Sequence, residues 1–315
     1  MAEHVDADTF TRAETDRMFA DLQRDAGGIN QFLHNREPAS VDHQTVIRMN
    51  RDTLYSFAVV DLSAGATLTL PDSGRRYLSA MVLDNDHYVV EVLHDAGEHR
   101  LDEGTVGTRY AVVAVRTLVD PVDPDDLAAA AAVQDGVRLV AESAEPFVSP
   151  DYDEASMSTT REALLVLASG LRSFDRMFGT REQVDPVHHL IGTAAGWGGL
   201  PTTEASYVGI DPQVPPGEYT LTLRDVPVDA FWSVSVYDEH GYFEPNPQGI
   251  YSINSVTAVP DVDGGVTVRF APLGEVATKP NTIPVPERWN VLVRLYRPQH
   301  AVLDGTWTVP ELRPA

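Results

Sequence analysis

The chain has 315 residues, 43% hydrophobic and 22% charged, a composition that supports a sizeable core and leaves room for two domains. Its 47 acidic and 23 basic residues give a formal net charge of −24. Such a surface repels phosphate, so neither a nucleic acid nor a membrane is expected as a partner. The absence of cysteine removes disulfides, thiolate nucleophiles and cysteine-bound zinc. The opening MAEHVDADTF lacks the basic and apolar regions of a secretion signal, and no run reaches the ~18 apolar residues of a bilayer span. A cytoplasmic location is the resulting expectation.

Thr11 and Glu14 have capping-box spacing ahead of Met18, Phe19 and Leu22, which predicts a first helix stopped by Gly27-Gly28. Short runs rich in Val, Tyr, Leu and Thr follow: QTVIRM, LYSFAVV, ATLTL, RYLSAMVL, YVVEVL and RYAVVAV. Gly, Asp, Asn and Pro separate them, the pattern of antiparallel strands in a sandwich or barrel. Asp123, Pro124, Asp125 and Asp126 then open an alanine-rich helix. A second helix is expected from the capping-box pair Thr159 and Glu162. Its apolar face would carry Leu164, Leu167, Leu171, Phe174 and Met177, with Gly179 at its end. From Glu218 the strand pattern returns in EYTLTLR, AFWSVSVYD and NVLVRLYR, and Asp263-Gly264-Gly265 reads as a hairpin turn between SVTAV and VTVRF. The expected class is α+β, mainly β, with two antiparallel β-sandwich-like units joined by a helical segment. The boundaries fall at 1–120, 121–209 and 210–315.

The stretch VIRMNRDTLYSFAVVDLS, followed by RRYLSAMVLDNDHY, resembles the domain of unknown function 1254. VPVDAFWSVSVYD, YSIN, DGGVTV, NTIPVP, RLYRP and LDGTW resemble, in order, the domain of unknown function 1214, and GWGGLPTTEASY is similar to the segment that links the two. The resemblance implies a β-sandwich-rich fold and no assigned biochemistry. Many relatives are longer and begin with a secretion signal. Thr282 and Val285 stand where the family usually has tryptophan and alanine.

The densest polar stretch is Arg48, Asn50, Arg51, Asp52, Thr53 and Tyr55, between two expected strands. Arg48 could hold a carboxylate bidentately, Asn50 is a further candidate binding residue, Asp52 could act as a general base, and Tyr55 could donate to a developing oxyanion. The structural alternative is an Asx turn at Asn50 and Asp52, with Arg48 paired to an acid and Tyr55 packed. In GWGGLPTTEASY, Trp197 and Tyr207 are candidate binding residues and Glu204 a candidate acid–base group; the alternative is a capped loop plugged by Trp197. The C-terminal aromatics, among them Trp232, Tyr237 and Tyr296, read as sandwich core or, alternatively, as the lining of an apolar pocket between the two β units, with Arg294 as its charged binding residue. Arg294, flanked by Val293 and Leu295, faces away from both and needs an acidic partner or solvent.

Ten histidines are present without a ligand-pair motif, and His188-His189 point apart, so no metal site is assigned. A set drawn from distant segments, such as His34 or His43 with Asp52 and Asp86, stays open. No phosphate loop or nucleophile elbow occurs, and no cofactor is identified. Two classes therefore remain. One is an enzyme acting on a small organic molecule by acid–base chemistry in an inter-domain pocket, with Asp52, Tyr55 and Glu204 catalytic. The other is a non-catalytic module that binds a small ligand or assembles with copies of itself.

Overall fold

Strand β4 (Leu78–Asp84) and strand β7 (Tyr110–Leu118) read as almost unbroken apolar runs, and both are buried along nearly their whole length. Strands buried on two faces belong at the centre of a covered sheet. The structure, a computed structural model, describes residues 2–44, 47–171, 173–273 and 279–315. The chain forms two units: Met1–Arg36, Tyr55–Leu118 and Ala128–Thr202 make the first, and Glu37–Leu54, Val119–Leu127 and Thr203–Ala315 the second.

Unit 1 contains α1 (Phe10–Asp25), β1 (Leu33–His34), most of β2 (Thr53–Asp61), β3 (Ala66–Leu70), β4, β5 (Val89–Leu93), β6 (Gly97–Leu101), α2 (Glu103–Val106) and β7. It continues with most of α3 (Pro124–Gly136), β8 (Arg138–Ala141), α4 (Glu154–Ser169) and α5 (Pro186–Gly196). A five-stranded sheet runs in the order β1-β2-β7-β4-β5, and a three-stranded sheet in the order β6-β3-β8. Val60, Leu68, Leu70, Ala80, Val82, Val113 and Val115 from these strands form one apolar core. A second core gathers Phe10, Ala13, Met157, Leu164 and Ile191 from α1, α4 and α5.

Unit 2 contains β9 (Ala205–Ile210), β10 (Tyr219–Leu223), β11 (Trp232–Asp238), β12 (Ser252–Asn254), β13 (Val266–Pro272), β14 (Thr282–Val285), β15 (Trp289–Tyr296), α6 (His300–Leu303) and β16 (Arg313–Pro314). Its sheets are ordered β12-β11-β15-β9 and β14-β13-β10-β16. Their facing apolar residues, among them Val234, Val236, Val268, Phe270, Val291, Val293 and Leu295, make the sandwich core. The pairings are antiparallel except that of β13 with β14. The protein is therefore mainly β, of the α+β class.

Several local expectations change. The α1 helix starts at Phe10, and the Asp6 carboxylate accepts the Asp8 and Thr9 amides (3.0 and 3.3 Å) in place of a Thr11 cap. Glu14 is buried in ion pairs with Arg17 (2.8 Å) and Arg161. The α4 helix begins at Glu154, five residues before Thr159, where the side chain of the preceding Asp153 accepts the Ser156 amide at 2.9 Å, and Gly170 caps its end. Leu164 and Met177 are buried, but Leu167 and Phe174 lie outside the core. SVTAV is a turn and not a strand, because the Asn254 side chain accepts the Val256 and Thr257 amides (3.0 and 2.9 Å) and ends β12. The expected strand QTVIRM includes residues 45 and 46, outside the described residues; Ile47 and Arg48, which follow them, form a turn. Among the described residues, no helix is long and apolar enough to cross a membrane.

Candidate functional site

In β11, Trp232, Val234 and Val236 point into the sandwich core while Ser233, Ser235 and Tyr237 point the other way. Antiparallel register sets Arg294 of β15 opposite Ser233, Tyr207 of β9 opposite Arg294, and Asn254 and Ser252 of β12 opposite Ser233 and Ser235. Directly paired residues share a face, so one side of this sheet is polar. That side is nevertheless buried: Arg294 is 2% exposed and Ser233, Tyr237 and Asp52 are fully buried.

The segment before β2 meets this polar face. Arg294 donates to the Arg48 carbonyl (2.8 Å), Ser235 Oγ (2.9 Å) and the Tyr237 hydroxyl (2.7 Å), and that hydroxyl donates to the Met49 carbonyl (2.7 Å). Asn50 donates to the Tyr296 hydroxyl (2.9 Å) and accepts the Asp52 amide (2.9 Å), closing the expected Asx turn. Carbonyl and hydroxyl oxygens take the direct hydrogen bonds of the Arg294 guanidinium, and the acid that acts on it is Asp52, with which it makes no direct ion pair among the described residues. Burial works against its charge, but Tyr237, Tyr296 and the Asp52 carboxylate outweigh that and hold it above its ordinary value. Arg48 makes no ion pair among the described residues, so its expected acid partner is absent there.

Asp52 Oδ1 accepts from Ser252 Oγ (3.2 Å) and Asn254 Nδ2 (3.4 Å). Its other oxygen, Oδ2, and Ser233 Oγ are buried with no hydrogen-bond partner among the described residues. Native proteins rarely leave such atoms bare.

Ser252 and Asn254 also form part of the wall of a cleft of about 140 Å³ in unit 2, together with Arg51, Asp120, Pro121, Val122, Gly249, Ile250, Tyr251, Ile253 and Thr257. The Arg51 guanidinium lies 5.3 Å from the Tyr251 ring centre and donates through Nη1 to the Ala39 carbonyl. Nε and Nη2 have no partner among the described residues. Partial burial lowers the pKa of Arg51, against the opposing pull of Tyr251 and Asp52. Asp120 Oδ1 accepts the Val122 amide at 3.1 Å, and its Oδ2 is uncommitted among the described residues.

The remaining candidates fall elsewhere. Glu204, half-buried, precedes β9, and its carbonyl accepts the Arg297 amide at 2.8 Å. Tyr55 and Trp197 belong to unit 1. Tyr55 stacks on Phe57 at 5.7 Å with the Arg116 guanidinium 5.3 Å from its ring, and Trp197 donates to Thr15 Oγ1 at 3.3 Å. Unit 2 thus brings Arg48, Asn50, Asp52, Tyr207 and Arg294 to one polar face. The sequence stretch that suggested them contains Arg51 too, but no local signal linked it to Asp120 or Tyr251.

Unit 1 holds a different polar cluster. Rings stack in series: Tyr88 on His189 (4.5 Å), His189 on His87 (5.5 Å) and His87 on Trp197 (5.5 Å), with the Arg181 guanidinium 4.3 Å from Tyr88. His87 Nε2 accepts the Gly198 amide (2.9 Å), so Nδ1 carries the proton and donates to Thr193 Oγ1 (2.9 Å). Complete burial, with His189 close by, keeps its pKa well below the usual histidine range. Asp84 caps the adjoining turn by accepting the Asp86 and Tyr88 amides (2.9 and 2.8 Å), and burial pushes its carboxyl up to about 6. Asp86 pairs with Arg12 and Arg181 (2.5 and 3.5 Å). Among the described residues no cluster of three or more histidine or acidic side chains is suited to a metal ion.

These features define a two-unit, mainly β protein with a buried polar sheet face and a small cleft in its second unit. Models of two protein families, each described as a protein of unknown function, match the chain: DUF1254 over residues 29–105 and DUF1214 over residues 213–300. The two cover just over half of the chain, which belongs to this paired family. The crystal structure of the VPA0106 protein from Vibrio parahaemolyticus is similar, with a TM-score of 0.72 at 18% identity over 98% of both chains. A putative uncharacterized protein from Burkholderia cenocepacia matches at a TM-score of 0.52 and 13% identity, over 97% of this chain and 87% of that one. At these identities the likeness is one of fold. No curated protein matches the chain.

Proposed function

We propose that this protein binds a small organic molecule in the cleft of unit 2, oriented by Arg51. The observation that carries the reading is the half-buried guanidinium with two nitrogen positions uncommitted among the described residues, set beside the apolar walls of Pro121, Val122, Ile250 and Ile253. A concave, mainly apolar site with few convergent polar groups is the usual form of a small-ligand site. Arginine's planar fork matches a carboxylate on two hydrogen bonds.

A second reading makes the protein an enzyme, with Asp52 in an acid–base role one hydrogen bond behind Ser252 and Asn254. The bare Oδ2 of Asp52 favours it. One experiment serves both readings: calorimetric titration of a panel of C4–C8 acids, alcohols and amides against the wild type, Arg51→Met and Asp52→Asn, with product analysis of each mixture. The binding reading expects an acid to bind and Arg51→Met to weaken it about tenfold or more. It fails if no compound binds, or if Arg51→Met binds as the wild type does. Turnover that Asp52→Asn abolishes while binding persists would establish the catalytic reading.

A further inference from the structure

We infer that the ligand of this cleft is zwitterionic, carrying a carboxylate for Arg51 and an ammonium group for Asp120 beside a short apolar body. The inference rests on the proposed binding role and adds the second charge. Arg51 and Asp120 line the same cleft, yet no ion pair joins them. Each is half-buried. Among the described residues each also has only one end fixed by a hydrogen bond: Arg51 Nη1 on the Ala39 carbonyl, and Asp120 Oδ1 on the Val122 amide. A partly desolvated charge without a counter-ion is unfavourable, and two of opposite sign in one concavity are both neutralised by a ligand with the complementary pair.

The rest of the lining limits what lies between and beyond those charges. Pro121, Val122, Ile250 and Ile253 offer apolar surface, and a cleft of about 140 Å³ has room for a short branched chain and not for a large ring system. The Ser252 and Thr257 hydroxyls at the wall already donate, to Asp52 Oδ1 and Asn254 Oδ1, and keep lone pairs that can accept from an ammonium group. A compact α-amino acid with an aliphatic side chain meets all these conditions: its two charges sit on one carbon, and its body is apolar. A monocarboxylic acid leaves Asp120 bare and brings a second negative charge towards it. A simple amine leaves Arg51 bare.

Three probes with one isobutyl body separate the contributions: leucine, 4-methylpentanoate and 3-methylbutylamine. Calorimetric titration of the full chain should show leucine binding at least tenfold more tightly than either of the others. In Asp120→Asn, which keeps the oxygen that accepts the Val122 amide, the advantage of leucine over 4-methylpentanoate should disappear, while 4-methylpentanoate binds as well as before or better. Equal or tighter binding of 4-methylpentanoate to the wild type overturns the zwitterion inference and leaves the binding role standing. So does an unchanged preference for leucine in Asp120→Asn. If none of the three probes binds, the inference is likewise overturned, and the wider panel of acids, alcohols and amides then decides the binding role separately.

Discussion

Two buried polar clusters, the histidine cluster of unit 1 and the Arg294 cluster of unit 2, differ in what they leave over, although elsewhere in unit 1 the buried Ser79 and Thr117 hydroxyls also have no partner among the described residues. In unit 1 the His87 ring uses both nitrogens, Asp84 holds two amides, and Asp86 answers two arginines. In unit 2 Arg294 is satisfied as fully, but around it Asp52 Oδ2 and Ser233 Oγ are bare, and Arg51 and Asp120 keep free hydrogen-bonding positions among the described residues. A cluster whose donors and acceptors are matched fixes a turn or docks a helix. One with groups left over at a concave surface can receive a ligand. By that criterion the aromatic and histidine stack, conspicuous as it is, serves architecture, and the smaller cleft is the better site.

The strongest way to break the contrast is to remove Arg294. Arg294→Ala would strand the Arg48 carbonyl and the Tyr237 and Ser235 hydroxyls and open a cavity, so a loss of about 3 kcal/mol or more is expected in denaturant unfolding. A loss below about 1 kcal/mol would mean that the polar face does not hold the segment before β2.

A smaller effect sharpens the other side. Asp84 sits above its usual value of 3.8, at about 6, so its ionisation is harder in the folded protein than in the unfolded chain. Below about pH 4 the carboxyl is protonated in both states and costs nothing. The penalty grows between pH 4 and 6 and is complete above that range, where Asp86 adds to it and Arg181 relieves part of it. Asp84→Asn keeps the oxygen that accepts the two amides. It should therefore stabilise the protein by about 1–2 kcal/mol at pH 7.5 and by almost nothing near pH 4. Unfolding curves of both proteins at the two pH values provide the check; a stabilisation independent of pH would assign the gain to something other than desolvation.

Much of the β architecture was legible because its strands are apolar enough to announce themselves. ATLTL and NVLVRLYR became β3 and β15, and the alternation in WSVSVYD already separated the two faces of β11. The signal failed where charge or brevity hid it. β6, GEHRL, is mostly exposed, pairs with β3 and places Leu101 in the core. The sequence does not announce α5, although Asp185 caps it and Pro186 opens it, because His188, His189, Gly192 and Gly196 interrupt its apolar pattern. Helix starts shifted where a nearer acid outcompeted the expected threonine, as at Asp153.

The candidate site was legible to the same degree. Arg48, Asn50 and Asp52 form a polar run in the sequence, and strand alternation alone puts Arg294 away from Val293 and Leu295, whereas Tyr207 lies on β9, where the sequence suggests a capped loop. The cleft was not legible: Asp120–Val122 and Gly249–Asn254 lie far apart in the chain, and each reads as an ordinary turn or a short strand. Only tertiary packing makes them neighbours of Arg51.

The central claim is that the uncommitted groups of unit 2 form the site and the matched groups of unit 1 do not. A chemical-shift map of the full chain, recorded while leucine and the acid panel are titrated in, tests this most directly. The account predicts saturable shifts at the Arg51 side chain and at Ile250–Asn254, with His87, His189 and Trp197 unmoved. Shifts confined to the histidine stack, or no saturable shift in unit 2, would contradict it.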